Sequence, residues 1–357
     1  MHDEALSFLK SIVEAPSPSG FEEEVATLYR DYAAAFSHRV TTDVLGNVSA
    51  IINPDAPFRF MLAGHMDEIG AIVHYIDDDG FLFFSGIGGV DVATEIGQRV
   101  WVHGREKVEG VIGRKAIQDF KAADSTETPA MSELWIDIGA RSREDARAVV
   151  DVGSPVTIQS GFARLRGTRA IGRAFDNKAG LFIAAQVLRA SWEAGVRSDV
   201  GLYILGTVQE EIGSRGAKTA TFNLDPATGL AIDTGVASDY PRARPEDKGE
   251  MEIGKGPALW QGPNTNPIVF ALLKQAAEER SIPYQLMAEG SSSPTDARKL
   301  QTNRGGVASG LLSLPLRYMH TPSELLCLDD LQNTVDLIAA YIQRLSPDID
   351  FTPWSKA

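Results

Sequence analysis

Short, almost wholly apolar runs alternate with longer segments of helical periodicity over most of this sequence. The run VGLYILGTV (200–208) is typical of a strand buried on both faces, and the preceding segment 177–194 is typical of a helix. Similar apolar runs lie at 48–53, 58–64, 229–234 and 306–314. A strand that is apolar on both faces needs a covering layer on each side, as in parallel sheets. We therefore predict an α/β fold whose mainly parallel sheet is flanked by helices.

Residues 69–167 have a different pattern of apolar residues, in which helical periodicity is scarce. Their short β-like runs are separated by glycines and charged turns, and only SREDARAVV (142–150) has a helical pattern. The runs are AIVHYI, GFLFFSG, RVWVHG, EGVIG, LWIDIG and PVTIQS. This pattern predicts a small, β-barrel-like domain at 69–167, inserted into an α/β domain that is formed by residues 1–68 and 168–357.

Helices are also predicted at both ends of the chain. The first covers about residues 3–14, and the last covers residues 328–345. Between the first helix and the first strand, Ser19 and Glu22 have the spacing of a capping box. We therefore expect these two side chains to cap the beginning of a second helix.

Charge and cysteine content exclude several classes of function. The formal net charge is −14, which disfavours non-specific binding to nucleic acid or to anionic membranes. Cys327 is the only cysteine, so an internal disulfide or a cysteine-based metal site is impossible. The first residues lack the pattern of a secretory signal, and no apolar run approaches the roughly 20 residues of a membrane span. We expect a cytoplasmic protein without nucleic-acid or membrane partners.

Residues whose side chains can bind metal ions come directly after several of the apolar runs. They are His65 and Asp67 after 58–64, Glu210 and Glu211 after 200–208, Asp233 after GLAI, and His320 after LLSLPLRYM, while Asp176 stands just before a predicted helix. The carboxyl ends of parallel strands meet at one edge of a sheet, so these groups would converge there. Two adjacent glutamates at the end of a buried strand repel each other unless a cation lies beside them.

Two imidazoles with several carboxylates and no thiolate form a ligand set that suits Zn²⁺, Co²⁺ or Mn²⁺. Five protein ligands are too many for one open tetrahedral site, but they suit two ions that share a carboxylate and a water. One glutamate of the pair would then bind a metal ion while its neighbour acts as general base. Taken singly, each residue also has an ordinary interpretation: a structural histidine, a turn aspartate, a helix N-cap or an exposed acidic helix start.

Five motifs in this order resemble the M42 family of dinuclear metallo-aminopeptidases, which includes the glutamyl aminopeptidases and the tetrahedral TET particles. The motifs are GHMDEIG (64–70), AFDNKAG (174–180), QEEIGSRGA (209–217), IDTGVA (232–237) and RYMHTPSE (317–324). The resemblance extends over nearly the whole chain. It implies a zinc-peptidase-like α/β domain that hydrolyses N-terminal residues from peptides with a free N-terminus.

The resemblance also implies roles for individual residues. His65 and Asp233 would hold one metal ion, Glu211 and His320 the other, Asp176 would bridge them, Glu210 would be the general base, and Asp67 would orient the imidazole of His65. The two ions would be Zn²⁺ or Co²⁺, with Mn²⁺ as a further candidate. The inserted domain would build dimer contacts within a homo-oligomer, a dodecamer.

Alternative functions remain open at this stage. The same ions would serve a related amidohydrolase, or deacylase, acting on acylated amino acids or small amides. An endoglucanase-type glycosidase needs two carboxyl groups about 5–10 Å apart and no metal, which leaves His65 and His320 without a role. A non-catalytic assembly protein is the third alternative. The roles of Asp296 and Arg215 are also open: Asp296 is either a contact for a substrate amine or a helix-start acid, and Arg215 either fixes Glu210 or a substrate carboxylate or is simply exposed.

Overall fold

The computed structural model describes residues 2–116 and 128–354. Helices and strands alternate throughout these two ranges. The helices are α1 (Asp3–Glu14), α2 (Glu23–Ala34), α3 (Val92–Glu95), α4 (Arg143–Val149), α5 (Phe175–Ala194), α6 (Arg215–Leu224), α7 (Pro245–Lys248), α8 (Pro267–Arg280), α9 (Asp296–Gln301) and α10 (Leu328–Ile342). Within the described ranges, no helix is both long and apolar enough to cross a lipid bilayer.

The strands form one large sheet, one small sheet and one barrel. They are β1 (Arg39–Thr42), β2 (Val48–Ile52), β3 (Phe58–His65), β4 (Gly70–Ile76), β5 (Leu82–Ile87), β6 (Arg99–His103), β7 (Lys107–Arg114), β8 (Leu134–Asp137), β9 (Pro155–Ile158), β10 (Ala163–Arg164), β11 (Arg169–Gly172), β12 (Val200–Thr207), β13 (Thr228–Val236), β14 (Ala258–Gln261), β15 (Gln285–Ala288), β16 (Ala308–Leu316) and β17 (Glu324–Cys327). A small sheet joins β10, β11 and β17.

The large sheet has eight strands in the order β1-β2-β12-β3-β13-β16-β14-β15. Its four central strands, β12, β3, β13 and β16, are parallel to one another, whereas β1, β2 and β14 add antiparallel pairings. The predicted mainly parallel sheet is therefore confirmed. Because the central strands run the same way, their carboxyl ends lie at one edge.

The pleat of β3 explains why its sequence is apolar throughout. Phe60 and Leu62 point into the main core, which α5 and α10 cover. Met61 and Ala63 point to the opposite face, where α6 and α9 close a second core through Ala220 and Leu300. Since successive side chains of a strand alternate between faces, a strand between two helical layers needs apolar residues at every position.

Strands β4 to β9 close into a barrel in the order β4-β5-β8-β7-β6-β9. All six β-like runs of the insertion supply one strand each, and Val73, Leu82, Val100 and Ile136 belong to the barrel's own apolar core. The prediction of a barrel-like insertion is confirmed. The domain boundaries at 69–167 stay a prediction, and residues 117–127 lie outside the described part of the chain.

The predicted capping box before α2 is wrong. The helix begins at Glu23, and the side chain of its N-cap residue, Glu22, makes no cap hydrogen bond. Its Oε1 accepts hydrogen bonds from the backbone N–H groups of Gly20 and Gln209 instead. The hydroxyl of Ser19 donates to Asp67, 2.6 Å away. Neither side chain therefore caps α2. Ser19 contacts Asp67, which follows β3, and Glu22 contacts Gln209, which follows β12.

A buried ion network anchors the start of α5 beneath this edge of the sheet. Glu68 accepts hydrogen bonds from Arg173 (Nε to Oε2, 2.5 Å) and from Lys178 (Nζ to Oε1, 3.0 Å). The carbonyl oxygen of Ala15 accepts from both cations as well. All three charged side chains are less than 10 % exposed. Burial opposes ionisation of Glu68, but its two cationic partners prevail and lower its pKa to about 2.

Candidate metal centre

The five predicted metal ligands meet at the carboxyl edge of the parallel strands. His65 is the last residue of β3, Asp233 lies in the adjacent β13, Glu211 follows β12, Asp176 lies in the first turn of α5, and His320 lies between β16 and β17. They come from positions up to 255 residues apart in the sequence. The sheet order brings β12, β3 and β13 side by side, and this neighbourhood explains the convergence.

The ligand atoms form two groups that share one carboxylate. One group is His65, Asp176 and Asp233, the other is Asp176, Glu211 and His320, and within each group the atoms lie within 4.8 Å of one another. The Nε2 atom of His65 is 3.3 Å from Oδ1 of Asp176, and that of His320 is 3.5 Å from its Oδ2. Asp176 therefore presents one oxygen to each group, as a bridging ligand does.

The remaining distances match the size of a divalent ion. Nε2 of His65 is 3.7 Å from Oδ1 of Asp233, and Nε2 of His320 is 3.5 Å from Oε2 of Glu211. With bonds of about 2.0–2.2 Å, neighbouring ligands of a tetrahedral ion lie about 3.3–3.6 Å apart. The side chains are thus already spaced as ligands of such ions would be, and their nitrogen and oxygen donors fit Zn²⁺, Co²⁺ or Mn²⁺.

The electrostatics of the centre also favour a cation. Burial raises the pKa of Glu210 to about 9, and burial together with the charge of Asp176 raises the pKa of Glu211 and of Asp233. Burial thus opposes ionisation of these three carboxyl groups, whereas at Asp176 the hydrogen bonds from His320 and His65 outweigh burial and lower the pKa. A divalent ion counteracts the effect of burial, since it pairs with the ionised forms.

Glu210 lies beside the ligand atoms but belongs to neither group. Its Oε2 is 3.9 Å from Nε2 of His65, while its Oε1 accepts a hydrogen bond of 2.8 Å from the hydroxyl of Ser214. One carboxylate oxygen is therefore fixed by a protein donor and the other faces the centre. This arrangement suits a group that exchanges a proton with something bound there.

Asp67 contacts His65, whose imidazole it is predicted to orient, and also the segment that carries the two glutamates. Nδ1 of His65 lies 3.1 Å from the backbone oxygen of Asp67 and 3.4 Å from its carboxylate Oδ1. The same carboxylate accepts the backbone N–H groups of Glu210 (2.9 Å) and Glu211 (3.1 Å), besides the hydroxyl of Ser19. Asp67 thus fixes the backbone that carries both glutamates of the pair.

Glu324 is a residue that the sequence interpretation missed. Its Oε2 accepts the backbone N–H of Asp176 at 3.0 Å, and its Oε1 accepts that of His320 at 2.9 Å. The side chain is 2 % exposed. Two predicted ligands on separate segments are therefore held by one carboxylate. In the sequence, only its position four residues after His320 indicates a contact with that residue. Nothing local indicates its contact with Asp176.

The barrel reaches the centre through Gly88 and Gly89, which follow β5. The carbonyl oxygen of Gly89 lies 3.0 Å from Nδ1 of His320. A Cβ atom on Gly89 would lie 3.0 Å from the same nitrogen, and one on Gly88 would lie 3.2 Å from Cβ of Glu211. A side chain at either position would crowd the proposed ligands, and Gly88 also has a positive φ of 76°, which favours glycine. The loop after β5 thus forms one wall of the centre.

Asp296 and Arg215 lie in different environments. Asp296 is buried, and its Oδ2 accepts a hydrogen bond of 2.6 Å from the hydroxyl of Thr207 at the end of β12. Its Oδ1 is buried without a hydrogen-bond partner among the described residues. Arg215 is exposed, and its guanidinium lies 3.4 Å from the amide oxygen of Gln209 rather than beside Glu210.

Comparison with known proteins identifies a family and a close relative in sequence. A family model described as M42 glutamyl aminopeptidase matches residues 46–337. The lysyl aminopeptidase of Pyrococcus furiosus is 36% identical over 352 residues, which cover 97% of this chain and 98% of the relative. Both matches include every residue of the two ligand groups.

Solved structures with the same fold extend the comparison. A TET aminopeptidase from the marine sediment archaeon Thaumarchaeota archaeon SCGC AB-539-E09 is 32% identical and superposes with a TM-score of 0.93, covering 97% of this chain and 98% of the other. The TET1 peptidase of Pyrococcus horikoshii, described as assembling into a tetrahedron or a large octahedral shell, is 26% identical with a TM-score of 0.85, covering 96% and 100%.

Proposed function

The chain belongs to the M42 family and is an aminopeptidase, and from this premise we propose that five side chains hold two divalent ions beside a sixth that acts as general base. The five are His65, Asp176, Glu211, Asp233 and His320, and the sixth is Glu210. The observation that supports this most strongly is the shared carboxylate of Asp176, which presents one oxygen to each ligand group. Zn²⁺, Co²⁺ and Mn²⁺ all accept these ligands.

A pair of divalent ions in this position supplies Lewis acidity, which polarises a peptide carbonyl and eases the deprotonation of water. Glu210 accepts the proton of the attacking water at Oε2, while Ser214 keeps Oε1 in place. Glu210 then gives this proton to the leaving nitrogen as the peptide C–N bond breaks. Asp67 holds the backbone of Glu210, so the base keeps its position through both proton transfers.

The excess of acidic groups favours substrates with a free N-terminus. Glu210, Asp233 and Asp296 are buried around His65, and each has a raised pKa that burial causes first. A substrate α-ammonium group that pairs with such a carboxyl group stabilises its ionised form, and Oδ1 of Asp296, buried without a hydrogen-bond partner among the described residues, is free for this pairing. An acylated amine carries no charge for such a pair. We therefore favour an aminopeptidase over a deacylase that acts at the same ions.

The role of Glu210 is tested by Glu210→Gln, which keeps the shape and removes the basic oxygen. We expect kcat on a peptide with a free N-terminus to fall by about 10²–10⁴-fold. The metal content, measured by mass spectrometry, should stay unchanged because Glu210 belongs to neither ligand group. Glu106→Gln is the matched control, since Glu106 is an exposed glutamate of the barrel. Near wild-type turnover of Glu210→Gln would refute the assignment of the base.

The competing deacylase is tested with one peptide in two forms, with a free and with an acetylated N-terminus. We expect hydrolysis of the free form alone, lost with a strong chelator and restored by Zn²⁺, Co²⁺ or Mn²⁺. Removal of the acetyl group at a comparable rate would favour the deacylase instead. The ion that restores the highest kcat identifies the preferred metal in vitro.

Assembly is proposed on the same premise. The TET1 peptidase of Pyrococcus horikoshii is described as forming a tetrahedron or an octahedral shell, and we infer that this chain forms a dodecamer that is built from dimers. The barrel, which has an apolar core of its own, is the proposed dimer contact, as the resemblance to the family implies. A cytoplasmic location stays a prediction from the sequence.

A further inference from the structure

We propose that the aminopeptidase selects large, uncharged N-terminal side chains, such as those of leucine, methionine and phenylalanine. This inference rests on the proposed function, because it concerns a pocket that is lined by chain neighbours of two of the same ligands. The family description and the similar relative are named for glutamyl and lysyl substrates, so membership of the family does not fix the preference. The selectivity has to come from the walls of this particular pocket.

The lining of a cavity of about 740 Å³ includes the chain neighbours of two proposed metal ligands. Thr234 and Gly235, which follow Asp233 on β13, form one wall, and Met319, which precedes His320, forms another. A substrate whose scissile carbonyl lies at the centre would place its first side chain in the nearest open volume. Because this cavity is lined by the segments that carry Asp233 and His320, we expect it to bind the N-terminal side chain of the substrate.

The inner surface of the cavity combines apolar side chains with the uncharged polar side chains of Thr234, Asn264, Thr265 and Ser293. Met251, Met287 and Leu311 line it and are each less than 7 % exposed, and the half-buried indole of Trp260 lies beside them. The only polar atom of that indole, Nε1, donates to the hydroxyl of Ser313 at 2.9 Å. The ring therefore offers the cavity its apolar face. Covering apolar surface of this kind with an apolar ligand is favourable because water is released from both surfaces.

Among the described residues that line the cavity, the buried ones carry no charge, and the charged ones are exposed or half-buried. Asp247 and Lys248 lie on α7 at exposed positions and have opposite charges. Glu289 is half-buried, and its carboxylate already accepts hydrogen bonds from the backbone N–H and the hydroxyl of Ser291. A lysine or glutamate side chain in the cavity would lose water without gaining a charged partner at its base, and this is costly.

Two methionines make the floor adaptable in shape. Met251 and Met287 both contact the cavity and pack into one small apolar cluster with Ala258. Methionine side chains are unbranched and fill irregular gaps, so branched, linear and aromatic ligands can all be accommodated. The volume is also large enough for an aromatic ring. We therefore expect a preference for large apolar residues as a class and a weaker discrimination within that class.

The test measures kcat/KM on a series of aminoacyl chromogenic amides with N-terminal Leu, Met, Phe, Ala, Lys or Glu. We expect Leu, Met and Phe to exceed Lys and Glu by at least about tenfold. Equal or faster cleavage of the Lys or Glu substrate would overturn the inference but leave the aminopeptidase assignment intact. If none of the six is cleaved in the presence of added metal, the proposed function falls, and the inference falls with it.

A charge placed on the wall provides the second test. Leu286 lines the cavity from the edge strand β15 and is 54% exposed, so Leu286→Glu should fold normally. We expect the ratio of kcat/KM for Lys over Leu substrates to rise about tenfold. Leu165→Glu is the matched control, because Leu165 is 43% exposed and lies outside the cavity lining. An unchanged ratio in Leu286→Glu, or an equal rise in the control, would contradict the proposal.

Discussion

Glu324 joins two of the proposed metal ligands through their backbones. Its carboxylate accepts one N–H group from Asp176 and one from His320, and it has little contact with solvent. Neither hydrogen bond involves a ligand atom, so Glu324 acts by positioning. Without a cation, burial and the charge of Asp176 raise the pKa of Glu324 well above its usual range. Burying this carboxylate is therefore unfavourable by itself. In return, its two hydrogen bonds fix the relative position of two proposed ligands.

Replacing Glu324 should therefore weaken metal binding. In Glu324→Gln one of the two acceptor oxygens becomes an NH₂ group that faces a backbone N–H donor. We expect the metal affinity to fall about 10–100-fold, as is usual for partners of metal ligands. Competition with a chromophoric chelator measures this affinity directly.

Asp330 offers a matched control for that experiment. Its buried carboxylate accepts the backbone N–H groups of Gly254 and Gly256, so it has the same bonding pattern away from the centre. We expect Asp330→Asn to lower the free energy of unfolding but to leave the metal affinity unchanged. If both variants lost metal equally, general destabilisation would explain the effect and the positioning role of Glu324 would be refuted.

At the scale of residues, the sequence indicates the proposed ligands but not the residues that hold them by hydrogen bonds. His65, Glu211 and Asp233 each follow or end an apolar run, so a local pattern reveals them. The bond from Ser19 to Asp67 spans 48 residues and that from Asp176 to Glu324 spans 148. Such partners depend on the fold, and the local pattern around Ser19 even suggested a helix cap.

At the scale of elements, the Glu68 network joins the end of β3 to the start of α5. Glu68→Gln would leave Arg173 and Lys178 buried without a carboxylate partner. Breaking a buried ion pair on one side typically costs about 3–5 kcal/mol, so we expect a loss of this size in the free energy of unfolding. Denaturant titration measures it.

The control for this loss is Glu14→Gln. Glu14 pairs with Lys10 at 3.9 Å on α1, and both side chains are about half exposed. Exposed pairs of this kind contribute roughly 0–1 kcal/mol, so the stability should hardly change. A loss in Glu68→Gln no larger than that of the control would show that the buried network does not stabilise the fold.

The same network predicts a dependence of stability on pH. The pKa of Glu68 is about 2 in the folded chain, below its usual value of 4.5, so its contribution is complete above pH 4.5. This contribution is lost as the pH falls from 4.5 towards 2. We expect the stability difference between the wild type and Glu68→Gln to shrink over that interval. A difference that stays constant, or grows, in acid would contradict the depressed pKa.

Elements with a clear periodicity were predicted, and short edge elements were not. The central strand β12 and the helix α10 have long, regular patterns, and both occur where the sequence indicated them. The strands β14 and β15 have four residues each and lie near the edge of the sheet. Their pairing comes from long-range contacts with β16, which a local pattern does not contain.

At the scale of the whole molecule, the proposed dodecamer makes the outer face of the barrel an interface. Val111 on β7 and Tyr75 on β4 are 41% and 48% exposed. We expect light scattering to give the mass of twelve chains for the wild type and a smaller species for Val111→Asp. Val44→Asp, a change at a fully exposed loop position, should leave the mass unchanged. A monomeric wild type would refute the proposed assembly.

The central claim concerns two ions that share Asp176. Anomalous diffraction from zinc-loaded crystals, recorded on both sides of the zinc absorption edge, tests it most directly. The account predicts two anomalous peaks about 3.5–4 Å apart, one beside His65 and Asp233 and the other beside Glu211 and His320, with Asp176 between them. A single peak, or peaks away from these side chains, would contradict it.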